Sequence, residues 1–181
     1  MENILSENSV PVQENLKVTF IKAKFSRGKT KKGDPWTALD LVFKCEDYMG
    51  AKWLSHKLFQ PRSDNFLEQQ YFANTLAEVL DTLSQDNLWR SIPQSKTSWE
   101  KFYENYLNRI DNFRNKECYI KTVICKDWKD TSKYTACLAN KNFISLTPNL
   151  KYSAIERNMV EEVQESEFGF EANADNEGFD Y

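Results

Sequence analysis

Leu16-Lys17-Val18-Thr19-Phe20-Ile21-Lys22-Ala23-Lys24-Phe25 alternates apolar and polar residues. A period of two is the mark of a strand with one buried face. Leu16, Val18 and Phe20 fall on one side. The apolar pair Phe20-Ile21 then breaks the alternation, which predicts a β-bulge that turns the strand. Gly28, Gly33 and Asp34-Pro35 supply the breakers of a turn over Ser26–Pro35. A second strand runs from Trp36 to Cys45, with Leu39, Leu41, Phe43 and Cys45 on one face. After a turn over Glu46–Gly50, Ala51–Phe59 reads as a third. There Lys52, Leu54, His56 and Leu58 share one side, and Trp53, Lys57 and Phe59 the other.

At Pro61 the period changes. Ser63 or Asp64 can cap a helix, and Phe72, Leu76, Val79, Leu80 and Leu83 recur at helical spacing. Asp86–Lys96 reads as a loop holding Trp89. Thr97-Ser98-Trp99-Glu100 has capping-box spacing. Trp99, Tyr103, Tyr106, Ile110 and Phe113 then form an apolar stripe. Strand composition returns at Glu117–Lys126, turns at Asp127–Ser132 and comes back at Tyr134–Leu138, a hairpin. Phe143–Leu146 is a candidate closing strand.

The fold expected is therefore β-rich α+β. It is a five-stranded barrel of the oligonucleotide/oligosaccharide-binding (OB) type, with a helical insertion between strands 3 and 4. In that fold the connections between strands 1–2 and 4–5, with the sheet face between them, hold nucleic acid. The expected division is a flexible N-terminus (1–15), a nucleic-acid-binding domain (16–155, insertion about 62–115) and a disordered acidic tail (156–181).

Charge divides the chain at the same place. Residues 1–155 carry 23 Lys and Arg against 18 Asp and Glu, a net +5. Residues 156–181 carry nine acids against Arg157 alone, a net −8, which accounts for the overall −3. A basic body with an acidic appendage points to a polyanionic ligand. Lys22, Lys24, Arg27, Lys29, Lys31 and Lys32 place six cations in eleven positions with no acid, in the expected strand 1–2 connection. Phosphates need such a cluster because counterion release supplies sequence-independent affinity. Lys126, Trp128, Lys129, Lys133 and Tyr134 pair cations with aromatics in the expected strand 4–5 connection. There a base can stack while Lys holds the phosphate. Trp36, Trp53 and Lys57 lie on strands, where a Trp serves either as sheet packing or as a stacking platform.

This order of elements, the two basic loops and the acidic, aromatic-ended tail resemble phage-type single-stranded-DNA-binding proteins. The resemblance implies a DNA replication or recombination accessory protein that coats and protects single strands. Its tail, through Glu171, Asp175, Glu177, Phe179, Asp180 and Tyr181, would recruit a polymerase, helicase or primase. The helical insertion departs from the resemblance, being long for a bare OB fold: it would be a homodimer surface, a partner surface or the mark of a different fold.

Other classes find less support. No Gly-rich phosphate loop ends in G-K-[ST], and no cofactor is expected. Cys45, Cys118, Cys125 and Cys137 lack zinc spacing, His56 is the only histidine, and reduced thiols are expected. His56 reads as a sheet residue with no catalytic motif around it. A metal-dependent nuclease could draw on Asp40, Glu117 and Lys121. A protein–protein interaction module, such as a viral host-takeover factor, is the third class. Met1–Asn15 lacks the features of a signal peptide and no apolar run suits a membrane helix. A soluble cytoplasmic protein is expected, in the host cytoplasm if viral.

Overall fold

In the computed structural model, which describes residues 4–47, 50–85 and 96–163, three long antiparallel strands come first. They are β1 (Leu16–Lys29), β2 (Pro35–Asp47) and β3 (Gly50–Phe59). Two helices follow, α1 (Phe66–Ser84) and α2 (Lys96–Ile110), and then β4 (Glu117–Ile120), β5 (Thr122–Lys126), β6 (Tyr134–Leu138) and β7 (Ile144–Ser145). A last helix, α3, spans 154–163. One antiparallel sheet has the order β3-β2-β1-β4-β7, and β5-β6 forms a separate hairpin. The protein is thus β-rich α+β with an open five-stranded sheet, not a closed barrel. No helix among the described residues is long and apolar enough to cross a membrane.

The strands form where the alternation places them. Leu16, Val18 and Phe20 of β1, and Leu39, Leu41, Phe43 and Cys45 of β2, are buried on one face. The helices cover that face. Asn65, not Ser63 or Asp64, caps α1, its side chain accepting from the amides of Leu67 and Glu68. Phe72, Leu76, Val79, Leu80 and Leu83 are all buried, as their spacing requires. Trp99, Tyr103, Tyr106 and Ile110 of α2 are buried too, and Phe25 of β1 lies against Tyr103 with ring centroids 3.9 Å apart. The helices are joined where Tyr106 donates its hydroxyl to the Leu76 carbonyl at 2.8 Å. Lys116 Nζ donates to the Leu83 carbonyl at 2.5 Å, satisfying an otherwise open C-terminal group of α1 and placing a cation at its negative end. Trp89 and the Thr97 side chain lie outside the described residues.

Three departures from the sequence reading matter. First, Glu117–Lys126 is not one strand. At Lys121 the chain leaves β1, where Leu16 pairs with Ile120, and joins β6, where Thr122 pairs with Leu138. The Lys121 side chain turns inward at 3% exposure and donates to Glu156 Oε1 at 2.8 Å and to the Lys151 carbonyl at 3.1 Å. Second, residues 4–15 are not a loose end. Val10 and Val12 are buried. Ser6 N donates to the Tyr134 carbonyl, and Tyr134 N to the Ile4 carbonyl, so this segment covers the free edge of β6. Third, residues 154–163 are helical although they open the acidic tail. Ser153 and Glu156 form a capping box: Ser153 N donates to Glu156 Oε1 at 2.9 Å, and Glu156 N to Ser153 Oγ at 3.2 Å. Residues 164–181 lie outside the described residues.

His56 pairs with Leu41 across β2–β3, and burial pushes its pKa down to about 4. The folded value lies below the unfolded one. Folding stability is therefore full above about pH 6.5 and falls as the pH drops toward 4, by about 3 kcal/mol at most. We expect His56→Gln to flatten the melting-temperature profile between pH 6.5 and 4 relative to the parent. Parallel profiles would show that His56 is not the group responsible.

Candidate nucleic-acid interface

The face of β1–β2–β3 opposite the helices carries most of the chemistry. Its composition follows from register. Thr19 pairs with Lys44 and Phe20 with Phe43, but Val42 is met by Lys22, so Ile21 is an extra residue in β1. Without this bulge, Lys22 and Lys24 would keep the parity of Phe20 and point at the core. With it they stand on the outer face, and Ala23 and Phe25 take the inner positions. The outer rows across three strands are Lys22–Val42–Ser55, Lys24–Asp40–Lys57 and Ser26–Ala38–Phe59. Lys44 and Trp53 pair at one end, and Gly28 and Trp36 at the other.

Two of the three aromatics on this face are open, and Trp36 is half-buried. Trp53 is 53% exposed and Phe59 56%. Phe59 stands edge-on to Trp36, with centroids 5.6 Å apart and planes at 75°. Cations flank the rings: Lys44 Nζ lies 5.8 Å from the Trp53 ring centroid and Lys57 Nζ 5.6 Å from that of Trp36. Lys22 and Lys24 are exposed and make no ion pair among the described residues. Trp36 lies directly over Gly28, where a β-carbon would come within 2.5 Å of the indole. Gly28 is thus needed for close approach. Gly28→Ala is expected to displace the indole and weaken oligonucleotide binding several-fold while leaving the melting temperature nearly unchanged. Unaltered affinity in the folded variant would remove Trp36 from the site.

Not every residue singled out in the sequence joins this face. β1 extends to Lys29, so Arg27 and Lys29 are strand residues with inner parity. Arg27 donates to Glu100 of α2 at 2.5 Å, which spends its charge on the helix. Lys31 and Lys32 are exposed in the tight β1–β2 turn, beside the Trp36 end. That turn closes with Gly33 at φ +87, a conformation suited to glycine.

The β5–β6 loop holds Trp128 at 83% exposure, with Lys129 Nζ 5.3 Å from its ring centroid. Its cations Lys126, Lys129 and Lys133 share the loop with two structural carboxylates. Asp127 accepts from Ser6 Oγ at 2.6 Å and from Lys129 N at 2.9 Å. Asp130 accepts from Ser132 Oγ and N. These hydrogen bonds hold both carboxyls below the usual carboxylate range. Tyr134 packs against the core and pairs with the N-terminal segment, so it is not an open platform. Among the described residues, no hydrogen bond, ion pair or ring contact joins this loop to the sheet face. Glu171, Asp175, Glu177, Phe179, Asp180 and Tyr181 lie outside the described residues.

The residues proposed for a metal nuclease are not gathered. Asp40 binds Lys57, Glu117 faces Lys17 and Lys121 binds Glu156. No group of three or more potential metal ligands occurs among the described residues. Sequence reading passed over Lys44 and the role of Gly28. Lys44 was legible, because it shares the outer parity of Trp36, but Gly28 needed the register. No family model and no curated protein matches the chain.

Proposed function

We propose that this protein binds single-stranded DNA with little sequence preference, through the outer face of β1–β2–β3. The observation that carries the reading is the row of exposed Trp53 and Phe59 with Trp36, interleaved with Lys22, Lys24, Lys44 and Lys57. Lys22 and Lys24 are unpaired among the described residues, while Lys44 and Lys57 are held by Glu46 and Asp40. Open aromatic rings take unstacked bases of any sequence, and lysines take phosphates. A duplex keeps its bases stacked on each other and cannot use such platforms. The three-stranded meander, with β1 pairing back to β4 and a hairpin after it, supports an OB-like reading in which the barrel is left open. The role that follows is protection of single strands in replication or recombination. The acidic C-terminal segment would recruit replication proteins, and its aromatics Phe179 and Tyr181 would anchor the contact.

Titration of the full chain with labelled oligo(dT) at two salt concentrations tests this. Affinity should be strong at low salt and fall steeply as salt rises. Cleavage that depends on added Mg²⁺ would indicate a nuclease instead. A second reading, a protein-interaction module, is favoured by the start of α1, where Phe66, Leu67 and Tyr71 are exposed together. Absence of oligonucleotide binding at low salt would favour it.

A further inference from the structure

The carboxylate of Asp40 sits on this cationic face and is 5% exposed, the only buried acid among the described residues. It stands in register between Lys24 and Lys57. Only Lys57 takes it, with Nζ to Oδ1 at 2.7 Å. The same ammonium donates to Ser26 Oγ at 3.2 Å and lies 5.6 Å from the Trp36 ring centroid. A carboxylate at the floor of a phosphate-binding face repels the ligand, so its presence calls for an explanation.

We propose that Asp40 is a positioning residue: it holds Lys57 as a wall of the base seat beside Trp36 and keeps it from serving as a phosphate ligand. This rests on the single-strand reading above. Moving Lys57 to a phosphate would exchange one anionic partner for another. It would also leave Asp40 charged and nearly buried, with only the exposed Lys24 opposite it on β1. Asp40 is the buried member and Lys57 is half exposed, so parting them strands a desolvated carboxylate, while an exposed contact to phosphate returns little. Lys57 therefore stays, and the middle of the face is locally neutral. Unpaired cations remain on the β1 side, at Lys22 and Lys24, while the open rings Trp53 and Phe59 stand on β3. The nucleic-acid backbone then runs along β1, with its bases turned across β2 toward β3.

The salt dependence of oligo(dT) binding separates the two roles of a lysine. Each phosphate neutralised on a single strand contributes about 0.7 to the slope of log affinity against log salt. Lys57→Met should weaken binding several-fold. Asp40→Asn releases Lys57 to the ligand and should steepen the slope by about 0.7. Lys22→Ala with Lys24→Ala should make it shallower by about 1.4. Lys57→Met leaves Asp40 unpaired, so the double variant Asp40→Asn, Lys57→Met is measured as well, with its melting temperature. It removes both charges and should keep the parental slope.

A shallower slope in the double variant, with no change in Asp40→Asn, would make Lys57 an ordinary phosphate ligand and overturn the proposal. A purely structural pair would lower the melting temperature and leave the slopes of Asp40→Asn and the double variant alone, which also overturns it. If the parent itself does not bind oligo(dT), the single-strand reading fails, and that failure is seen before any variant is made.

Discussion

Glu156→Ala is expected to destabilise the protein by about 3–5 kcal/mol at neutral pH. Lys121 is 3% exposed, and its ammonium has two acceptors, Glu156 Oε1 at 2.8 Å and the Lys151 carbonyl at 3.1 Å. Removing the carboxylate leaves a buried charge with a single carbonyl. The same change deletes half of the capping box at Ser153, worth roughly 1 kcal/mol. Glu78 of α1 works against the loss. Burial raises its pKa while Lys121 pulls it down, so a second carboxyl already feels this ammonium. The lower end of the range is therefore expected.

Burial pushes the Glu156 carboxyl up, but hydrogen bonds from Lys121 and Ser153 and the charge of Lys121 outweigh it and hold the pKa below its ordinary value. A depressed folded value means stability that is present above the unfolded pKa and lost as pH falls through the folded one. The parent and Glu156→Ala should thus converge in acid. Denaturant unfolding at pH 7 and in acid measures both effects. The double variant Lys121→Met, Glu156→Ala should recover most of the loss. A single variant within about 1 kcal/mol of the parent at pH 7 would mean that the pair does not anchor α3.

Replacing Trp36 and Trp53 together by alanine is expected to cost about 2–6 kcal/mol of oligo(dT) binding, from roughly 1–3 kcal/mol per stacked base. Trp53 pairs with Lys44, which lies eight residues from Trp36 along β2. That separation is about 26 Å at the rise of a strand, so their contributions should add. Trp53 is half exposed and should cost little stability. Trp36 gives up its contact with Phe59. Melting and titration of one sample distinguish loss of fold from loss of site. A folded double variant with parental affinity would show that bases do not stack on this face.

Local pattern carried most of the fold. Strands β1 to β3, the bulge at Phe20–Lys22 and the buried stripes of α1 and α2 all follow from apolar spacing, because each signal lies within a few neighbouring residues. Long-range choices were illegible. Nothing near Lys121 announces a buried ammonium, since its partner lies 35 residues later in what charge alone marks as a solvated tail. Ser153-Ala154-Ile155-Glu156 does carry a helix-start signal, overshadowed by the acids that follow. The N-terminal segment looked loose because it is polar. Its burial depends on the exposed edge of β6, which no local pattern reveals.

The candidate site divides in the same way. Trp36, Trp53 and Lys57 are joined by strand register, and the bulge decides that Lys22 and Lys24 join them. Arg27 looked like part of the same basic run, but parity sends it to Glu100. In the sequence Asp40 stood out only as a possible ligand of a metal-dependent nuclease. Only its pairing with Lys57 across β2–β3 gives it a role.

Amide chemical-shift mapping of the full chain during titration with oligo(dT) tests the central claim most directly. Perturbations are expected to concentrate on Lys22, Lys24, Lys44, Trp53, Lys57 and Phe59, with the Trp36 and Trp53 indole N–H signals among the largest. Perturbations confined to α1 or to the Asp127–Lys133 loop, or none at low salt, would contradict that claim.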